Sequence, residues 1–582
     1  MTLDTAGDAG ARWQRLLPGV GLMRRYERGW LRGDVLAGVT VTAYLLPQVM
    51  AYAEVAGLPA VVGLWASVAA LLVYAVFGSS PQLSVGPEST TALMTATALG
   101  GLAAGKPERY AALAAALAGL VGLFCLVAWA ARLGFLADLL SRPVLVGYMS
   151  GVAVLMIISQ LGKLTGLSVE GDTPLAEIAF VLGHLSEADA TTFLLAMTVL
   201  AFLLVGARLF PRTPVPLIGM LLAAGVVVLF DLQDNGVTVV GPVPRELPSL
   251  QLPAIDVGDL RELFPAALGI TIVAFTDNIL TARAFETRHA GGLDSNQELL
   301  ALGAANLAVG AAQGFPVSSS GSRTAIGDAM GSRSQLYSLV ALGSVVLTVL
   351  FLGPVLAAFP SAALGAVVVY AAVRLVDVPE FRRIGRFRRI ELALALGTTV
   401  AVLALGVLEG VLVAVALSVL DLLYRVTRPH DGILGYVPGV AGMHDIDDYA
   451  DAQPVPGLVV YRYDSPLFFA NAQDFTRRAL AAIDSSPTPT RWFLLNAEAN
   501  TAVDVTAVDA LEAVREEVAR RGIIFAMARV KQDLRDDLQR AGLIDRVGES
   551  RIFMTLPTAV NAYVEWSIDT LGKPPEGFNP PP

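Results

Sequence analysis

The chain has 582 residues, of which 54% are hydrophobic and only 16% charged, and its mean hydropathy is +0.61. That balance excludes an ordinary soluble protein; the formal net charge of -10 is unevenly spread, with much of the acid after residue 440 and the arginines in short loops between apolar runs, so no general basic surface for nucleic acid is expected. The single cysteine, Cys125, lies in an apolar run and excludes an intramolecular disulfide and a cysteine-based metal site.

The first thirty residues are polar and arginine-rich, with no short apolar core before a cleavage site. We therefore expect no cleavable signal peptide, and a cytoplasmic N-terminal segment over 1–32. Apolar runs then recur near 35–52, 60–77, 85–102, 110–130, 143–161, 190–207 and 214–231. A second set follows near 264–282, 297–312, 320–331, 336–353, 361–376, 390–407 and 410–424. A spanning helix needs roughly 20 apolar residues, so these runs predict an α-helical polytopic membrane protein with about fourteen transmembrane segments over 33–428. Residues 174–185 predict a short interfacial helix.

Arginines give the expected orientation. Arg24, Arg25, Arg28 and Arg32 precede the first run, and alternate loops carry Arg132 and Arg142, Arg208 and Arg212, and Arg283 and Arg288. Arg374, Arg382, Arg383, Arg386, Arg388, Arg389, Arg425 and Arg428 continue the series. The opposite loops hold Glu170, Asp172, Glu187, Asp189, Asp231 and Asp234. Basic loops stay cytoplasmic, so both termini are expected there, in the cell membrane.

Two interrupted starts stand out. Gln82 to Thr91 opens the third run, and Gln313 to Thr324, with one proline, two glycines, four serines and an arginine, opens the tenth. Halves of about seven segments each are inverted relative to one another, because seven is odd, and matching broken helices in two such halves point to a transporter's substrate site. Helix starts carry free N–H groups and partial positive charge, which suit an anion. Ser320, Ser322 and Thr324 add donors and Arg323 adds a permanent charge, either on the substrate or as a structural group that sets the field.

Asp277 sits deep in an apolar run with Thr281 one turn on. Such an acid carries a proton, binds sodium with nearby oxygens, or makes an interhelical contact. Glu88 at a helix start would compete with an anion, so it either protonates during the cycle or caps the helix. Gln48, after Pro47, lines the same cavity or joins helices. The four histidines, His184, His289, His430 and His444, show no metal spacing, and no ATP-binding loop is visible, so a gradient-driven carrier is expected and not an enzyme.

After Arg428 the composition changes. Residues 429–454 read as a Gly/Pro-rich linker, and 455–566 as an α/β domain with strands at 458–463, 491–496 and 523–528. Helices are expected at 471–484, 506–521 and 531–541 between and after them. Residues 567–582 read as a disordered tail.

The stretch Gln48 to Pro59 followed by Gly63-Leu64-Trp65, the helix around Asp277, the serine-rich start with Arg323-Thr324 and the terminal α/β domain resemble the sulfate permease (SulP) family. The resemblance covers roughly residues 20–565, and several motifs in register make it specific. It implies two inverted seven-helix repeats divided into core and gate domains, a cytoplasmic STAS domain over 455–566, and a homodimer. It places Gln48, Glu88, Ser89, Ser320, Ser322 and Arg323 at substrate positions and Asp277 at the coupling-acid position, with Thr281 beside it as in sodium sites of bicarbonate-transporting relatives. Glu88 departs from the small or apolar residue that relatives often carry. Asp504-Val505-Thr506 lies where STAS domains carry a phosphorylation site, with Thr506 as helix N-cap the plainer reading. The expected function is proton-coupled sulfate uptake, without cofactor. The alternatives are sodium-coupled bicarbonate transport, or an uncoupled anion exchanger or channel.

Overall fold

A computed structural model describes residues 16–102, 106–138, 141–169, 173–210, 213–246, 248–251, 253–286 and 293–576. Arg212, Arg288, His289, Glu170, Asp172 and the tail beyond Glu576, all used in the sequence reading, lie outside these described residues. The chain divides into two units, Met1–Ser418 and Val419–Pro582. The division falls inside the last spanning helix, ten residues before the boundary expected at 428/429.

Within the first unit the apolar runs become helices, because a bilayer offers no partner to an open backbone. They are α1 (Leu31–Val55), α2 (Ala60–Phe77), α3 (Ser89–Leu99), α4 (Pro107–Ala130), α5 (Arg142–Ser159), α6 (Ala190–Leu209) and α7 (Val215–Leu229). The second half repeats the set as α8 (Val257–Glu286), α9 (Ser295–Ala311), α10 (Gly321–Ala329), α11 (Leu336–Phe351), α12 (Ser361–Leu375), α13 (Arg389–Leu405) and α14 (Val407–Thr427). The third member of each half is short: α3 has 11 residues and α10 has 9, too few to span alone. Pro174–Gly183 forms the expected short helix, and Val378–Phe387, which carries three arginines, forms one that was not expected.

Packing shows the repeat. α1 packs on α11 as α4 packs on α8, α2 on α11 as α9 on α4, α5 on α13 as α12 on α6, and α1 on α2 as α8 on α9. Each pair converts into its counterpart by a shift of seven helices. The bundle thus separates into a core of α1–α4 with α8–α11, and a gate built around α5–α7 with α12 and α13. In the core, α4 and α9 approach through facing glycines. A Cβ on Gly122 would lie 2.8 Å from the Gly303 carbonyl oxygen, and one on Gly303 3.0 Å from that of Gly122. Many large apolar side chains on α6 and α7, such as Leu194, Leu222 and Val228, are exposed, as a lipid-facing surface requires.

The second unit holds a six-stranded sheet. Its strands are β3 (Asp431–Tyr436), β4 (Met443–Asp445), β5 (Leu458–Tyr463), β6 (Trp492–Asn496), β7 (Ile524–Ala528) and β8 (Ile552–Phe553), in the order β4-β3-β5-β6-β7-β8. β5 to β8 are parallel, and β3 runs antiparallel to both its neighbours. Helices α15 (Ala472–Asp484), α16 (Val505–Arg520) and α17 (Gln532–Arg540) share one core with the sheet, and α18 (Leu556–Leu571) covers the other face. Two expectations are corrected. The segment 429–454 is not a linker, since it supplies β3 and β4. Its glycines serve close approach: a Cβ on Gly432 would lie 1.9 Å from the Asp445 carboxylate. The disordered tail does not begin at 567, because α18 continues to Leu571 and ends on Gly572 in a left-handed conformation with φ 73°.

Candidate functional site

The two interrupted starts meet. β1 (Val85–Gly86) and β2 (Ser318–Ser319) pair antiparallel, with Val85 opposite Ser319 and Gly86 opposite Ser318. Each strand runs into its short helix, so the N-termini of α3 and α10 converge. Ser320 N–H donates to the Ser84 carbonyl at 2.8 Å, and Ser84 N–H to Thr324 Oγ1 at 3.0 Å. Thr324 Oγ1 in turn donates to the Ser320 carbonyl at 2.8 Å. Asn306 of α9, fully buried, braces β2 by accepting from Val317 N–H at 2.9 Å and donating to the Val317 carbonyl at 3.1 Å. These bonds supply partners that an extended backbone at membrane depth otherwise lacks.

The two helix starts are not equivalent. Glu88 is the N-cap of α3, accepting from Thr90 N–H at 2.8 Å and from the Ser89 hydroxyl at 2.8 Å. Of the two readings of Glu88, the geometry is that of the cap. The start of α10 has no side-chain cap, and its Ser320 and Ser322 hydroxyls lie 3.3 Å from each other. One helix end is thus held by the protein's own carboxylate, and the other is open to an anion.

A cavity of about 330 Å3 lies before these starts, many times the room a single water needs. It is lined by Gln48 and Tyr52 of α1, Glu88, Ser89 and Thr90, Met149 of α5, Asp277 and Thr281 of α8, Ser319 to Ser322, and Tyr370, Ala371, Arg374 and Leu375 of α12. Core helices supply one wall and gate helices the other. Asp277 accepts from the Ser319 hydroxyl at 3.3 Å. The carboxamide oxygen of Gln48 is buried without a partner. Gln48, Glu88, Ser89, Ser320, Ser322, Asp277 and Thr281, distant in sequence, are therefore brought together around one space.

Arg323 is the exception among the expected substrate residues. It does not line the cavity; its side chain is 0% exposed and lies behind the strand pair. Nη1 donates to the Pro87 carbonyl at 3.0 Å and Nε to Ser84 Oγ at 3.4 Å, so it staples one broken start to the other. Of the two readings of Arg323, the structural one fits, and Thr324 is likewise committed to backbone. Thr506 is corrected too: Asp504 is the N-cap of α16, accepting from Ala507 N–H at 2.8 Å, and Thr506 is exposed on the first turn.

Sequence reasoning missed Tyr52, Ser319, Tyr370 and Arg374 in the cavity. A signal existed for the last pair: a tyrosine and an arginine four apart, on one face, where the twelfth run ends. It also missed two fully buried carboxylates. Glu298 accepts from Tyr74 at 2.9 Å, from Ser79 N–H at 2.9 Å and hydroxyl at 2.7 Å, and from Asn278 at 2.8 Å. Asp34 accepts from Arg333 N–H at 2.7 Å and the Ser334 hydroxyl at 2.7 Å. Their oxygens are satisfied by donors from other helices and loops, a framework role.

Paired broken helices between a core and a gate, with a polar cavity at their junction, define a multi-pass membrane transporter, not an enzyme. The chain belongs to the sulfate permease family: it matches that family over residues 31–398 and the STAS domain over 449–559. It is 60% identical, over 94% of this chain and 98% of the relative, to a probable sulfate transporter of Mycobacterium tuberculosis. It is 32% identical to probable sulfate transporter 4.2 of Arabidopsis thaliana, over 92% of this chain and 81% of the relative. Among solved structures, that of murine Slc26a9, an anion transporter in the inward-facing state, superposes with a TM-score of 0.85 at 22% identity, covering 97% of this chain and 95% of that one. The transmembrane domain of the cyanobacterial bicarbonate transporter BicA gives 0.59 at 22% identity, covering 68% of this chain and 98% of that one. At these identities the likeness is one of fold.

Proposed function

We propose that the protein is a secondary active transporter of inorganic anions that takes up sulfate together with protons. The observation that carries this reading is the open, uncapped start of α10 facing a cavity that also holds Asp277 and Glu88. Helix N–H groups with Ser320 and Ser322 receive the oxyanion, and Ser89 and Gln48 complete its shell. Two carboxylates in the same space repel an anion unless they carry protons. Anion and proton therefore favour each other's binding, and by linkage the preference is reciprocal. Asp277, bonded to Ser319 on β2, is the coupling acid. The relatives' names supply sulfate as the substrate to test first.

The second reading is sodium-coupled bicarbonate transport. Asp277 and Thr281 face the same cavity one turn apart, and their oxygens suit a hard cation. An uncoupled exchanger or channel leaves Asp277 without a role. In either coupled mode the core carries the site past the gate. Both termini are cytoplasmic, in the cell membrane. The assembly is a homodimer, and Thr506, exposed at the start of α16, is the regulatory phosphorylation position of the STAS domain.

Radiolabelled sulfate uptake into proteoliposomes, with proton and sodium gradients imposed separately, tests this. A proton gradient alone should drive accumulation. Sulfate left unmoved while sodium drives bicarbonate would establish the second reading instead.

A further inference from the structure

A second cavity, of about 270 Å3, runs beside α1 toward its first turns, past Thr40 and Tyr44 to Gln48, and beside α10 from Ser322 to Met330. It shares Gln48, Ser322, Tyr370 and Arg374 with the cavity already described. Among the described residues lining the two, Arg374 is the one arginine or lysine, whereas the inner cavity holds two carboxylates, Glu88 and Asp277. Arg374 is exposed and makes none of the ion pairs found among the described residues. Nη1 donates to the Tyr370 hydroxyl at 2.7 Å, and its guanidinium lies 5.6 Å from the centre of the same ring. Gln48, 6% exposed with its carboxamide oxygen unpartnered, stands at the junction.

We propose that the outer cavity is a first station for the anion, where Arg374 binds it before it passes Gln48 and Tyr370 to the start of α10. This rests on the transport reading above. Arg323 is fully buried, bonds Ser84 and Pro87 through Nε and Nη1, and lines neither cavity, so it offers the incoming anion no contact. The carboxylates Glu88 and Asp277 oppose its arrival. A guanidinium at the shared mouth offsets both conditions, since its planar fork matches the edge of a tetrahedral or planar oxyanion. In a narrow, low-dielectric mouth, one cation raises the local anion concentration and the on-rate, and salt screens the effect. Tyr370, by hydrogen bond and ring contact, is the positioning residue that keeps the guanidinium at the junction. A half-turn of the Gln48 amide presents N–H donors where its oxygen now lacks a partner, which gives the anion a step between stations.

The test is initial-rate uptake of radiolabelled sulfate in proteoliposomes, over a range of concentration and ionic strength. Arg374→Gln should raise KM about tenfold with kcat within about twofold, and flatten the salt dependence of kcat/KM. Arg374→Lys should recover most of both, and Tyr370→Phe should raise KM about threefold while keeping the salt dependence. Unchanged KM and salt slope in Arg374→Gln would overturn the proposal. So would a loss confined to kcat that Lys does not rescue. If the wild-type chain moves no sulfate, the transport reading fails on its own. Equilibrium binding of the same sulfate to purified protein then decides: about tenfold weaker binding in Arg374→Gln supports the outer station, and equal binding overturns it.

Discussion

Asn306→Leu removes the brace behind β2. Its carboxamide satisfies both the N–H and the C=O of Val317, which lies on the segment leading into α10, and all three groups are buried. Leucine keeps approximate volume but leaves two backbone groups unpaired in a dry core. Each costs about 1–3 kcal/mol, so the loss is about 2–6 kcal/mol, a large share of a typical folding margin. Thr97→Val is the control: its hydroxyl caps only the Leu93 carbonyl of its own helix at 3.0 Å, so its removal should cost under about 0.5 kcal/mol. Cys125, buried on α4, reports the outcome as the chain's one thiol, because a thiol-reactive dye labels it only on unfolding. Asn306→Leu should lower the apparent Tm by about 5 °C or more, and Thr97→Val by about 1 °C or less. Equal shifts would show that Val317 finds other partners and that the brace does not matter.

Three further outcomes are expected. Asp277→Asn should bind sulfate but fail to concentrate it: a gradient of one pH unit is worth about 1.4 kcal/mol per proton, or about tenfold accumulation, and the variant should stop at equilibration. Arg323→Met should leave Arg374-dependent KM effects intact while reducing kcat more than about tenfold, because it frees the Pro87 carbonyl and loosens the strand pair without touching the outer station. In the second unit, Glu512 accepts from Arg515 at 2.8 Å, with Arg546 at 3.0 Å, and these contacts hold its carboxyl below the usual 4.5. A depressed folded pKa contributes stability above the unfolded value and loses it as pH falls through the folded one. Glu512→Gln should thus weaken amide-exchange protection of α16 at pH 7, by about 1 kcal/mol or less, and the difference from wild type should vanish at pH well under 4.5.

The membrane part was legible because its signals are long. Fourteen apolar runs and an alternation of basic loops need no tertiary knowledge, and a bilayer leaves helices as the default. The pairing of 84–91 with 317–324 was legible for a subtler reason: proline, glycine and hydroxyls at the start of a short run are costly in lipid unless they have a use. What those polar groups touch was not legible. Arg323 points behind the strands and Arg374 into the cavity, and apart from Tyr370, four residues before Arg374, nothing along the chain distinguishes the two. Glu88 caps α3, while the matching position on α10, Ser320, leaves that helix uncapped; only geometry tells them apart. The short strands β3 and β4 were missed because Gly432 and Gly435, which permit close approach, read as turn residues when taken alone.

Protection of one position by the substrate tests the central claim most directly. In an otherwise unchanged chain Cys125 is buried, so Ser322→Cys, exposed on the first turn of α10 and lining the cavity, introduces the single reachable thiol there. Sulfate should slow its modification by a charged methanethiosulfonate reagent in a saturable way, with half-protection near the KM for uptake. The exposed Thr501→Cys control, in the second unit, should react at the same rate with or without sulfate. A Ser322→Cys rate indifferent to sulfate, in protein that still transports it, would place the anion elsewhere and contradict the account.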